Sequence, residues 1–180
     1  MKKKMIALTA ALVLVLSAAV VGTVAWLTDK TQAKVNTFTV GNIDIDLTET
    51  ERTYKMIPGE EIDKDPKVSV EAGSEACWLF VKVEEANDLD KFIDYRIADG
   101  WTELPGVAGV YYRTVAADAT ERVFSVLAND KVTVKDTVTK ADMDEISGEN
   151  AAKPQLTFTA YAVQQAGFAD AAAAWTEASK

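Results

Sequence analysis

Alternation is the feature that most restricts what this chain folds into. Ile43-Asp44-Ile45-Asp46-Leu47 places apolar and acidic side chains at a period of two. Gln155 to Gln164 repeats the pattern, with Leu156, Phe158, Ala160 and Ala162 on one side. A strand sends successive side chains to opposite faces, so this period predicts half-buried strands, with the carboxylates of Asp44 and Asp46 outward. Asn36-Thr37-Phe38-Thr39-Val40 alternates too, and Gly41-Asn42 interrupts it. Further strands are expected at Lys67–Val70, Ala76–Glu84, Tyr95–Ala98, Val110–Val115, Arg122–Leu127 and Val132–Val134. Ala76–Glu84 carries aromatic and branched residues on both faces, as a central strand does. Pro58-Gly59 and Asp99-Gly100 mark turns. Asp88 to Ile93 reads as one or two helical turns, Asp142 to Lys153 as a polar loop, and alanine-rich Ala169 to Ala178 as a helix. The expectation is an all-β, jelly-roll-like antiparallel β-sandwich with one or two short helices, closed by non-local pairings in Greek-key order.

The first 25 residues have a different character. Lys2, Lys3 and Lys4 precede the apolar run Met5 to Val21, and Gly22-Thr23-Val24-Ala25 closes it with small residues. This is the order of a secretory signal, here a signal helix cleaved between Ala25 and Trp26, with Thr23 and Ala25 at the −3 and −1 places. The alternative is an uncleaved anchor, since the run is just long enough to span hydrocarbon. Three divisions follow: a signal peptide at 1–25, a junction segment at 26–36 and a sandwich domain at 37–180. No cysteine stands at the cleavage point for lipid attachment, and Trp175 to Lys180 carries no sorting-type motif. The expectation is a secreted or cell-surface protein that meets the membrane only before cleavage.

Composition narrows the chemistry. The whole chain carries a net charge of −9, and loss of the leader lysines makes the mature chain more acidic. That argues against nucleic acid as a partner. The chain has no histidine, so neither a His-Glu-x-x-His zinc site nor a Ser-His-Asp or Cys-His arrangement exists. Acid pairs at Asp44/Asp46, Glu60/Glu61, Asp63/Asp65 and Asp88/Asp90 lack EF-hand spacing, and such alternating acids usually form a solvated face. The reading is therefore non-enzymatic, with no catalytic residue, metal or cofactor. Cys77, the only cysteine, shares a strand face with Leu79, Val81 and Val83. A buried free thiol is the expectation, with an intermolecular disulfide as the alternative. Trp78 is expected in the core, Trp101 partly exposed, and Trp175 docking the alanine-rich helix.

Several segments in order resemble the TasA/camelysin family of bacterial surface and biofilm-matrix fibre proteins. They are Gly22-Thr23-Val24-Ala25-Trp26-Leu27-Thr28-Asp29, Asn36 to Ile45, Pro58-Gly59-Glu60, and Gly73 to Val83. Asp99-Gly100-Trp101, Val110-Tyr111-Tyr112-Arg113 and Ala160-Tyr161-Ala162-Val163-Gln164 continue the likeness, followed by Phe168 and Ala174-Trp175. The resemblance implies a Gram-positive source, a SipW-type signal peptidase acting during export, and jelly-roll subunits that join head to tail. It also implies donor-strand exchange with other copies of the same chain. The donor would be Trp26, Leu27, Thr28, Asp29, Lys30, Thr31, Gln32, Ala33, Lys34, Val35 and Asn36. The metallopeptidase activity in the name camelysin is not carried over, because no histidine is present to ligate zinc. Two further readings are a monomeric surface adhesin and, least favoured, a camelysin-like peptidase.

Overall fold

The computed structural model describes residues 42–50 and 54–180. Thr23, Ala25, the Trp26–Asn36 segment and the Asn36–Val40 strand lie outside the described residues. The described chain is all-β, built from antiparallel sheets with short helices.

One layer contains β1 (Ile45–Thr48), β2 (Glu61–Asp63), β3 (Lys67–Val70), β5 (Ile93–Asp94), β8 (Val123–Ser125) and β9 (Lys131–Val134). It consists of two three-stranded sheets, ordered β1-β3-β8 and β2-β9-β5. Backbone hydrogen bonds run one into the other: Lys64 N to Asp130 O at 2.8 Å, Val126 N to Pro66 O at 2.9 Å and Ala128 N to Arg96 O at 2.8 Å. The expected strand Tyr95–Ala98 is present only as a bridge between Ile97 and Leu127. Asp63 faces Lys131 and Lys67 faces Ser125, so one side advances by four residues while the other advances by six. The 3-10 turn Ala128–Asp130 takes up the surplus, with Asn129 and Asp130 at positive φ of 59° and 55°. Asn and Asp tolerate that region better than other side-chain-bearing residues.

The second layer runs β10-β4-β7-β6: β10 (Gln155–Gln164), β4 (Cys77–Ala86), β7 (Val110–Val115) and β6 (Thr102–Glu103). β4 is central, as its two-faced apolar pattern requires. Cys77, Leu79, Val81 and Val83 pack against Val68, Val70, Phe124 and Val126 of the first layer. Phe80, on the other face, packs with Leu104, Val110, Ala171 and Ala174. Gly109, before β7, presses on β4: a Cβ there would lie 2.5 Å from Val83 O. Its own carbonyl accepts from Val83 N at 2.8 Å. Only glycine permits that approach at φ 71°.

Among the described residues three helices stand where one or two were expected: α1 (Leu89–Phe92), α2 (Lys140–Ser147) and α3 (Ala171–Ala178). α2 corrects the expected loop at Asp142–Lys153. A capping box starts it, with Thr139 and Asp142 satisfying each other's backbone N–H groups. Met143 and Ile146, one helical turn apart, pack against the second core around Leu89, Phe92 and Val134. α3 has Asp170 as its N-cap, accepting from Ala173 N at 2.9 Å. Its Trp175 ring sits 5.3 Å from Phe80 and 5.0 Å from Tyr161, docking the helix on the second layer as expected.

Candidate assembly surface

Every open sheet leaves two edges, and an edge exposes unpaired backbone groups. Among the described residues the edge strands differ sharply in length. β5 and β6 have two residues each, β1 has four, and β10 has ten. β10 pairs with β4 from Gln155↔Ala86 to Gln164↔Cys77 without interruption, and has no second hydrogen-bonded strand among the described residues, although β1 packs close to it. Its sequence, Gln-Leu-Thr-Phe-Thr-Ala-Tyr-Ala-Val-Gln, contains no charge, proline or glycine. Charge and proline are devices by which edge strands usually resist pairing.

The direction of the open groups follows from the ladder. Gln165 N donates to Ala76 O, so the odd-numbered residues of β10 turn their backbone toward β4. Leu156, Phe158, Ala160, Ala162 and Gln164 therefore turn N–H and C=O outward. The first four of these also pack against the core between the layers, together with Ile43, Ile45 and Leu47 around β1. Tyr161 and Val163 lie on the opposite face, toward α3. The edge is thus half-buried on both faces, and the small Ala160 and Ala162 lie in its C-terminal half.

Each end of this edge has a distinct setting. Toward Phe158, the buried Lys64 places Nζ 2.5 Å from Glu49 Oε1. Nζ lies 4.9 Å from the Tyr54 ring centroid and 5.4 Å from that of Phe158, and Tyr54 Oη donates to the same Glu49 oxygen at 3.2 Å. Thr50 donates from N and Oγ1 to the Asp65 carboxylate at 2.9 and 2.6 Å, which lowers the Asp65 pKa. The chain after β1 is thereby fastened to the β2–β3 run. At the other end a hollow of about 320 Å³ lies among Glu75, Ala76, Gln164, Gln165 and Ala166.

A second hollow, of about 470 Å³, lies at the margin formed by Glu85, Tyr95, Arg96, Tyr111 and Lys135. Burial, then the 2.5 Å hydrogen bond that Tyr95 Oη donates to Glu85, pushes the Tyr95 phenol far above its usual range. Burial, then Glu103 and Glu85, raises Tyr111. Two neutral phenols provide hydrogen-bonding hydroxyls, not a base. Cys77 is a buried free thiol whose pKa burial raises, so its reactive thiolate form is suppressed. Among the described residues no group of three or more Asp, Glu or Cys is placed to hold a metal ion.

The expected site residues Thr23, Ala25 and Trp26–Asn36 cannot be placed against this edge, since they lie outside the described residues. The expected acid pairs do not converge on one another: Asp46 turns outward, and Asp65 is held by Thr50. Trp78 is half-buried against the core beneath α3, and Trp101, also half-buried, donates from Nε1 to Ser125 O at 2.9 Å. Sequence reasoning missed the Lys64–Glu49–Tyr54 cluster, whose members are scattered along the chain with no shared spacing. It also missed that β10 is an edge, because an uncharged strand without proline carries none of the marks that edges usually bear. No family model, curated protein or solved structure matches the chain.

Proposed function

We propose that this protein is a secreted, non-enzymatic structural subunit of a surface or matrix fibre, and that β10 is the edge through which one copy accepts another. The observation that carries the reading is the long, uncharged, proline-free edge of β10. An added strand would take the outward N–H and C=O groups of Leu156 to Gln164, with alternate side chains entering the half-open core beside Ala160 and Ala162. The donor is the segment Trp26–Asn36, which is of about the same length as β10 and follows directly on the cleavage site at Ala25. A SipW-type peptidase frees it during export, and its apolar Trp26 and Leu27 provide the anchors. Because donor and acceptor are different surfaces, the contact does not close on itself and propagates head to tail.

The fold fits a jelly-roll-type sandwich. With β2–β3 and β8–β9 each counted as one strand, the second strand pairs with the seventh, the seventh with the fourth, and the third with both the sixth and the eighth. Two interleaved Greek keys produce those neighbours. β1 and β6 depart from the scheme by pairing with β3 and β7.

The test is electron microscopy of the secreted protein and two variants. Ala162→Pro removes an outward N–H without touching the β4 ladder, and deletion of 26–36 removes the donor. Both should stay monomeric while the parent forms filaments. Filaments that persist in either variant overturn the assignment.

A further inference from the structure

Arg113 of β7 stands opposite Leu79 of β4 and faces the space between the layers. Its guanidinium carbon lies 3.7 Å from the centroid of the buried Phe124 ring and 5.4 Å from that of Trp101. Trp101 is itself held by its hydrogen bond to Ser125 O. The plane is therefore fixed by aromatic contacts, which favour a cation without using its N–H groups. Among the described residues no oxygen accepts from any of those N–H groups, and Nε is buried without a partner. Glu121 is felt electrostatically but forms no ion pair.

This is exceptional within the molecule. Among the described residues, every other buried or half-buried Lys or Arg is engaged. Lys64, Lys67, Lys82, Lys131 and Lys135 each meet a carboxylate, and Arg122 donates to the carbonyls of Glu71 and Ala117. A half-buried guanidinium left unpaired in so acidic a chain lacks the partner that offsets its desolvation. Gly100 flanks the outer end of the fork. A Cβ there would stand 3.3 Å from Nη2, so glycine, which the turn also requires at φ 89°, keeps that approach clear.

We infer that Arg113, framed by Phe124, Trp101 and Gly100, is a binding site for a carboxylate. The guanidinium fork matches the two oxygens of a planar carboxylate. The net charge of −9 and the neighbouring Glu121 penalise a dianion such as phosphate more than a monoanion. The carboxylate comes either from a small organic acid or from an acidic side chain of a second copy, and the chemistry at Arg113 is the same. The inference stands apart from the fibre reading, because β7 and β10 are different strands of the layer.

The experiment titrates sodium acetate, with sodium chloride as the control at equal ionic strength, into the full-length chain in a non-ionic detergent. The readouts are the Arg113 Nε–H and Trp101 Nε1–H resonances. A saturable shift with acetate and not with chloride is expected, weakened about tenfold or more in Arg113→Lys, which keeps the charge and loses the fork. Sedimentation in the same samples separates the sources. Acetate that dissociates associated copies assigns the carboxylate to a second copy, and saturation at unchanged mass assigns it to a free acid. No saturable shift in the parent chain, or equal acetate affinity in Arg113→Lys, overturns the site.

Discussion

β4 and β10 are both ten residues long and pair with each other over their whole length, yet they occupy opposite situations. β4 lies between β10 and β7, so its backbone is engaged on both sides and its apolar residues enter two cores. β10 has one strand partner among the described residues, and its side chains are only half-buried. β4 closes with Glu84-Glu85, whereas β10 has no charge at all. The difference teaches that an uncharged strand need not be a central one. In β4, apolar residues meet a requirement of burial. In β10, the lack of charge leaves an edge without the protection edges usually carry.

The sharpest break of this comparison is a truncation on each strand. Phe80 is fully buried and packs against Tyr112 and Trp175. Phe80→Ala should destabilise by about 4 kcal/mol in denaturant unfolding, and Phe158→Ala by about half of that, because its site is already partly open to water. Equal losses would mean that β10 is as deeply enclosed as β4. Proline separates the two sides of β10 itself. Tyr161→Pro deletes an N–H directed at β4 and should cost about 3 kcal/mol, whereas Ala162→Pro deletes an outward one and should be much milder. Comparable thermal shifts would refute the assigned direction of the backbone.

Acid should loosen the approach to β10 before it affects β4. Lys91 and Thr139 hold the Asp142 carboxyl well below the usual carboxylate range and so tether α2, the element preceding β10. A depressed folded-state pKa contributes stability that is present above the unfolded value, about 4, and is lost as pH falls through the folded one. Amide protection factors in α2, corrected for intrinsic exchange, should therefore fall below about pH 4 in the parent, with Asp142→Asn showing the lowered protection already at neutral pH. The mildest probe is Cys77. Thiol reagents should label it only as fast as the layers open, with no native-state reaction in the first minutes; prompt labelling would show that β4 is not sealed.

Legibility followed the length of the pattern. Lys67–Val70, Val110–Val115 and Gln155–Gln164 were readable to the residue because alternation sustained over several positions has one interpretation. β2, β5 and β6 are two or three residues long and were not marked, since so short a run carries no period. α2 was hidden for another reason. Its sequence is mostly polar, and only Met143 and Ile146 touch the core, so the signal lay in the Thr139–Asp142 cap. The alanine-rich helix was visible from composition, and the docking of Trp175 follows from its place on that helix.

What the sequence determined by itself is the strand character of the chain, the two-faced burial of β4 and the inward face of Cys77. These depend on side chains a few residues apart, and the backbone transmits that spacing directly. Only the tertiary structure decided which strand is an edge, that Lys64 meets Glu49 and Tyr54, and that Arg113 lies between Trp101 and Phe124 without an acceptor. Those depend on pairings between distant segments. Register and layer order are settled by how all the faces bury together, and no local period records them.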